Sequence, residues 1–350
     1  MAEAAPAAQV RDEKRVDLVF EGGGVRGIAL VGALAVLEEH GFQPQNLAGS
    51  SAGAIVATLS AAGYRASELR ELIGGLDFRR FKDTGWEDRV PWAGQSLSIL
   101  RDLGIYEGDA FRDWMAARLE AKGVRTFGDL VHPDYAHQPR YRYRVRVLAS
   151  DVTGQDLLVL PQDALRLGTA PDDLNVAQAV RMSMSIPIFF EPVRFRNART
   201  GLEHLIVDGG LLSNFPVWLF DSKGVPEWPT FGLKLVEPEP DVSVAQRLPR
   251  QVAAQGGLEG VIDYLKSMAA TMMEWQDRIY IRTANFARTI AIPTLGVSAV
   301  DFDLSTEQAL ALYESGRIAA EQFLTTWDFQ AYIAAFRTGT PQSRRRESVA

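Results

Sequence analysis

The sequence predicts an α/β fold, a mostly parallel sheet with helices on its faces. Residues 16–20 (VDLVF) form a nearly continuous apolar run, as a strand buried on both faces requires. That run leads through glycines into a helical stretch, and a second strand candidate then does the same. Such alternation is the pattern of a layered parallel domain. The chain has 350 residues, of which 47% are hydrophobic and 23% charged, enough for a full core without covalent staples.

The elements follow in order. Residues 16–20 are a strand and 28–40 a helix ended by Gly41. Residues 46–48 are a short strand. Residues 52–62 (AGAIVATLSAA) are small and apolar, a buried helix that stops at Gly63. Residues 77–107 mix charges, Gly, Pro and two tryptophans (Trp86, Trp92) without a period, and read as a lid or interface excursion. A helix is expected over 108–122. Residues 141–147 (YRYRVRV) alternate strictly and read as a strand with one polar face. Strands are expected at 157–160, at 205–207 ending in Asp208, and at 231–236. Helices are expected at 176–183, at 258–275 and at 305–323, the last with a capping box from Ser305 and Gln308. Residues 1–14 read as a flexible tail, 15–325 as one catalytic domain, and 326–350 as a C-terminal extension with a disordered end.

Composition removes several functions. A net charge of −7 disfavours nucleic acid as a partner. With no cysteine, disulfides, thiolate metal sites and a Cys nucleophile are excluded. The first 17 residues lack the apolar core of a signal peptide. Apolar runs such as IALVGALAVL reach ten residues, against the roughly 20 of a spanning helix. A cytosolic protein able to touch a membrane at its surface fits these features.

Three motifs carry chemistry. In the first, Gly22, Gly23 and Gly24 are followed by Val25, Arg26 and Gly27, between a strand and a helix. Successive glycines leave backbone amides uncovered, and the helix N-terminus adds positive potential, so the loop suits a phosphate or an oxyanion. It also satisfies the dinucleotide pattern G-x-G-x-x-G, but the second strand ends in Leu47-Ala48-Gly49, without the acidic residue that pattern expects. The second motif, Gly49-Ser50-Ser51-Ala52-Gly53, has the strand before and helix after of a nucleophile elbow, with Ser51 projecting. The bland alternative is a Gly/Ser loop capping a helix. The third, Asp208-Gly209-Gly210, puts a carboxylate at a strand's carboxyl end with room beside it. Its alternative is an ordinary Asp-Gly turn. A serine nucleophile needs a base. The four histidines, His40, His132, His137 and His204, sit at a helix end, in a Pro-rich loop and at a strand start, as surface or structural residues do.

Taken in this order, with EGGGVRGIALVGALAVLEEHGF, LAGSSAGAIVATLSAAGY and SMSIPIFFEPV around them, the motifs resemble the patatin-like phospholipases of the bacterial type. The resemblance covers residues 15 to about 235, and less distinctly the helices to about 325. The one departure noticed is Ser50, where many relatives carry Thr. The resemblance implies a three-layer patatin-like fold and a Ser–Asp dyad, with Ser51 as nucleophile and Asp208 as base. It implies an oxyanion hole lined by Gly22, Gly23, Gly24 and Arg26. Gly49, Gly53, Gly209 and Gly210 would support the elbow and the dyad. It implies a lipid acyl-ester substrate met at a membrane or micelle surface, with no metal and no cofactor.

Two stretches offer apolar contact for a lipid. Residues 77–106 hold Phe78, Phe81, Trp86, Trp92 and Leu97 beside Arg79, Arg80 and Lys82, a composition suited to a membrane interface or to a covered loop. Leu265, Met268, Met272 and Trp275 form a helical stripe, more in keeping with core than with an acyl pocket. Ser183 and Ser185, before Ile186-Pro187, are expected to shape the pocket edge. A carboxylesterase or thioesterase on the same fold shares all these motifs. A nucleotide-binding regulator and an inactive lipid-binding scaffold are the readings from other classes.

Overall fold

A computed structural model describes residues 14–75, 104–106, 108–222, 224–237, 283–299, 301 and 304–337. Of the expected excursion at 77–107 all but 104–106 lies outside the described residues, as do residues 1–13 of the expected tail, the stripe at 258–275 and most of the expected C-terminal extension.

The chain opens with β1 (Arg15–Phe20), α1 (Gly27–Glu39), β2 (Gln43–Ser50), α2 (Ala52–Ala61) and α3 (Ala66–Gly74). It continues with β3 (Gly104–Tyr106), α4 (Asp109–Glu120), β4 (Val145–Asp151), β5 (Asp156–Leu160) and α5 (Val176–Ser183). Next come β6 (Ile188–Phe190), β7 (Val193–Arg196), β8 (Glu203–Asp208) and β9 (Thr230–Val236). The end is α6 (Thr283–Phe286), β10 (Thr289–Pro293), α7 (Thr306–Thr326) and α8 (Phe329–Phe336).

The main sheet is mostly parallel. β10, β9, β1, β2 and β4 run the same way, β5 and β8 run against β4, and β7 pairs antiparallel with β8 and so runs with β4. Five of the six β1 residues are buried, and all of β4 is. Both faces of these strands are covered, so even their polar residues, Asp17 in β1 and Arg146, Ser150 and Asp151 in β4, are buried.

The register contains the geometry on which the site rests. Ser50 of β2 pairs with Leu148 of β4, and Asp208 of β8 pairs with the next residue, Ala149. β5 occupies the other edge of β4 across both positions. β2 and β8 therefore share one edge of β4, run toward each other, and end face to face.

Helix α1 is buried from Gly27 through Leu37 and is apolar all round, as a helix between a sheet and another helix must be. α7 packs against it at close range. A Cβ on Gly32 would lie 1.9 Å from the Tyr313 carbonyl oxygen, and one on Gly316 1.9 Å from that of Ala29. α7 begins with the expected capping box, Ser305 Oγ accepting from Gln308 N–H and Gln308 Oε1 from Ser305 N–H.

The sequence pattern and the structure part in two places. The strand expected over 141–147 begins only at Val145 and runs on to Asp151. Before it, Tyr141 and Trp228 rings pack 5.4 Å apart, Arg142 pairs with Asp172, and Tyr143 bridges to Val131. The alternation there serves that lateral cluster instead of a ladder. Beyond the helix expected to end at 323, α7 runs to Thr326, and α8 buries Phe329, Tyr332 and Ile333 beside Trp327.

Gly32→Ala tests the α1–α7 contact. Alanine gains about 1 kcal/mol of helix propensity, but its methyl meets a backbone carbonyl that cannot rotate away. Overpacking costs about 1–3 kcal/mol. Thermal unfolding should shift to lower temperature, and an unchanged or higher midpoint would contradict the close approach.

Candidate active site

Ser51 is the turn between β2 and α2, with φ 53° and ψ −129°. A non-glycine residue in this region costs about 1–3 kcal/mol and persists only where its surroundings dictate it. They do so here. A Cβ on Gly49 would stand 2.3 Å from the Gly53 carbonyl carbon, and one on Gly53 2.3 Å from the Phe20 oxygen. Strand, elbow and helix approach so closely that only glycine fits at both positions. The Ser51 N–H donates to Ser183 Oγ at 2.9 Å, and the Ser51 hydroxyl donates to Met184 Sδ at 3.8 Å.

Asp208 closes β8 with no exposed surface. Its Oδ1 accepts the Gly210 N–H at 2.7 Å, and its own N–H donates to the Ser185 carbonyl at 2.9 Å. Oδ2 is buried and has no well-aligned partner among the described residues. Burial pushes the Asp208 carboxyl up to about 7, and hydrogen bonding from Ser51 and Gly210 offsets part of that rise. The Ser51 hydroxyl is thus near enough to stabilise the carboxylate, although its best-aligned acceptor is the Met184 thioether. Gly209 lets the turn pass β4, since a Cβ there would stand 2.3 Å from the Leu148 oxygen.

The glycine loop faces the same point. A Cβ on Gly22 would come within 3.0 Å of Ser51 Cβ. Gly22 is clasped by Asn214, whose carbonyl accepts its N–H and whose Nδ2 donates to its carbonyl, both at 3.2 Å. The Gly23 carbonyl accepts from Arg26 N–H and Arg26 Nε, each at 3.2 Å. The Val25 N–H donates to the Ala299 carbonyl at 3.1 Å. Among the described residues, the Gly23 and Gly24 amides have no partner. The Gly23 carbonyl and the Gly24 N–H are opposite ends of one peptide plane, so Arg26, by holding the first, turns the second the other way. Gly24 has φ +56°, and a Cβ on it would stand 1.9 Å from the Ala299 oxygen.

These contacts revise two expectations. Gly22 lines the site, but its amide is engaged and is not a free donor. The Arg26 guanidinium lies on the Gly23 carbonyl and 3.5 Å from Glu237 Oε1. It shapes the loop instead of presenting its charge to the site. The sequence reading missed Asn214 and a buried ion pair under the loop. Glu21 accepts from Lys234 Nζ at 2.6 Å and from the Leu235 N–H. Glu21 stands next to Gly22 in the sequence, but nothing there names its partner on β9.

Among the described residues, no histidine contacts Ser51 or Asp208. His204 is buried, with Nδ1 2.7 Å from Asp151 Oδ2. His40 lies 3.1 Å from Glu321 at the surface, and His132 Nδ1 accepts the Asp134 N–H. No group of three or more metal-ligating side chains occurs among the described residues.

Residues 18–221, which hold the elbow, the glycine loop and Asp208, match the patatin-like phospholipase family. The chain belongs to this family. YqhO of Bacillus subtilis (strain 168) is 38% identical to it over 314 residues, 90% of this chain and 99% of that one. The lysophospholipase NTE1 of Eremothecium gossypii is 33% identical over 224 residues, 62% of this chain and 12% of its own length. Among solved structures, VipD of Legionella pneumophila aligns with a TM-score of 0.54 at 20% identity, covering 90% of this chain and 67% of that one. That last likeness is one of fold. The patatin-like architecture, a mostly parallel sheet between helices, is therefore shared, and the family is one of lipid hydrolases. None of the described helices is long and apolar enough to cross a membrane.

In this patatin-like protein the buried Asp208 has a cost that pH reveals. An unfolded Asp loses its proton near 3.9, whereas Asp208 keeps one up to about 7. Its contribution to stability is full below pH 4, declines as pH rises to 7, and stays lost above that. Asp208→Asn should match wild type near pH 4 and exceed it above pH 7, by on the order of a few kcal/mol. Asp17, also raised to about 7 by burial, titrates in both proteins and cancels. An equal difference between the two proteins at pH 4 and pH 8, read by denaturant unfolding, would contradict the assignment.

Proposed function

We propose that the protein is a serine acyl-hydrolase of the phospholipase A type, cleaving fatty-acyl esters of phospholipids at a membrane or micelle surface. The observation that carries this reading is a buried carboxylate, raised toward neutrality, beside a strained serine that the glycine loop approaches at Gly22, with two unpartnered amides next along that loop. An ordinary Asp is a weak base at pH 7. One that titrates near 7 is matched to taking a serine proton at that pH.

The reaction follows from the positions. Asp208 Oδ2 takes the hydroxyl proton as Ser51 Oγ forms a bond to the acyl carbonyl carbon. The carbonyl oxygen becomes an oxyanion and receives the Gly23 and Gly24 N–H groups. Asp208 returns the proton to the leaving oxygen as its bond to the acyl carbon breaks, releasing the lysolipid. Water then repeats the cycle on the acyl-enzyme, with Asp208 taking its proton, and frees the fatty acid. The loop's contact with Ser51 supports an oxyanion site over a nucleotide phosphate site. A carboxylesterase or thioesterase would use the same steps, and a substrate panel separates them.

A fluorophosphonate probe should label wild type at Ser51. Ser51→Ala and Asp208→Asn should each lower kcat by more than about 10³-fold. Labelling mapped to another residue, or indifferent to Asp208→Asn, would sink the dyad.

The kcat/KM profile should show an acid limb near pH 7, because only the ionised Asp208 accepts a proton. Activity should fall about tenfold per unit below it. Gly24→Ala keeps the N–H, but its Cβ would meet the Ala299 oxygen at 1.9 Å and push the amide out of place, so kcat should fall by about 10²–10³-fold, the loss typical of one oxyanion donor. A flat profile from pH 5 to 8, or a fully active Gly24→Ala, would contradict these roles.

A further inference from the structure

We infer that Ser183, Met184 and Ser185 form a bridge that spaces the two proposed reacting groups, with Ser183 positioning the nucleophile and Ser185 the base. This rests on the Ser51–Asp208 reading above.

The three residues leave the C-terminus of α5 and touch both ends of the junction. The Ser183 hydroxyl, fully buried, accepts the Ser51 N–H at 2.9 Å. The Met184 thioether lies 3.8 Å from Ser51 Oγ. The Ser185 carbonyl accepts the Asp208 N–H at 2.9 Å. One short segment therefore holds the backbone of each member of the pair. β2 and β8 meet end to end on β4 without hydrogen-bonding to each other, so the sheet fixes where the strands end but leaves the backbone N–H groups of Ser51 and Asp208 to be held from outside it.

Each end of the bridge has its own purpose. Ser51 has positive φ, a torsion about its N–Cα bond. A hydrogen bond to that nitrogen's proton is the most direct means of holding the torsion, and Ser183 supplies it from a neighbouring element. At the other end the Ser185 side chain is braced. Its hydroxyl donates to the Arg181 carbonyl at 2.9 Å, and the Arg181 guanidinium reaches both the Ser185 hydroxyl and the Glu191 carbonyl. Arg181 is itself buried, lying against Gly108. The bridge is thus pinned to α5 and to the β6–β7 connection at Glu191, and its carbonyl accepts the Asp208 N–H. A residue that only lined a pocket would not need this bracing.

Neither serine touches a reacting atom, so each acts through another residue, and their signatures differ. Ser183→Ala frees the Ser51 backbone and leaves the environment of Asp208 intact. It should lower kcat and the fluorophosphonate labelling rate 10- to 100-fold. KM should stay within twofold, and the acid limb of the pH profile should not move. Ser183→Thr keeps the hydroxyl and should remain within about fivefold of wild type. Ser185→Ala loosens the carbonyl that holds Asp208 and admits water, so the acid limb should move to lower pH. Leu69→Ala, in the core of α3, is the control for general loosening.

The bridge is overturned if Ser183→Ala labels within twofold of wild type. It is equally overturned if Leu69→Ala, at a matched loss of thermal stability, slows labelling as much as Ser183→Ala does. If Ser51→Ala hydrolyses ester like wild type, the underlying dyad falls and the bridge with it. If Ser51→Ala is dead while Ser183→Ala keeps its rate, only the bridge falls.

Discussion

β2 and β8 approach from opposite directions along one edge of β4 and stop at neighbouring residues. The rest of the site depends on that collision. A parallel strand ends in a serine elbow, and an antiparallel strand ends in a buried carboxylate. Because both are anchored to consecutive residues of the same buried strand, residues far apart in the chain are held side by side. Each strand end leaves backbone groups that the ladder no longer satisfies. The Ser51 N–H, the Asp208 N–H and the Gly22 amide all find partners outside the ladder, on Ser183, Ser185 and Asn214.

Burial of Asp208 is costly, and the surroundings explain why it is sustained. The Gly210 amide satisfies one carboxylate oxygen and the other is left without a well-aligned partner. A fully satisfied carboxylate would be stable and inert as a base, whereas an unsatisfied one gives up stability for basicity. The same trade appears at Ser51, whose backbone conformation is unfavourable alone and is imposed by glycines that let strand and helix approach. The glycine loop completes the pattern. Four of its six amides, from Gly22 to Gly27, are committed, and two are withheld. Arg26 gains its importance from the peptide plane it fixes, not from the charge it carries.

Much of this was legible in the sequence. The strands at 16–20, 157–160 and 231–236 announce themselves by runs that are apolar but for Asp17 and Lys234, and α1 and α2 by small apolar residues ending at glycine. Ser51 and Asp208 stand out as candidates because each sits at a strand end among glycines, a context that survives without coordinates. What was not legible depends on tertiary contact. The alternation of 141–147 is indistinguishable, on sequence alone, from that of a half-buried strand, and only the packing of Tyr141 on Trp228 shows its purpose. Gly22 and Gly24 look alike in the sequence, yet Asn214 occupies one amide and leaves the other. Glu21 and Lys234, or Ser183 and Ser51, are distant pairs that no spacing rule connects.

The central claim is that Asp208 remains protonated well above the pH at which a free carboxylate ionises, and that this makes it a base at neutral pH. The most direct measurement is an infrared titration of the carboxyl stretch, taken as the difference between wild type and Asp208→Asn. The subtraction removes Asp17, which titrates in the same range. A protonated carboxyl band absent from the variant and lost with a midpoint near pH 7 is the predicted result. A difference spectrum with Asp208 fully ionised by pH 5 would contradict the account.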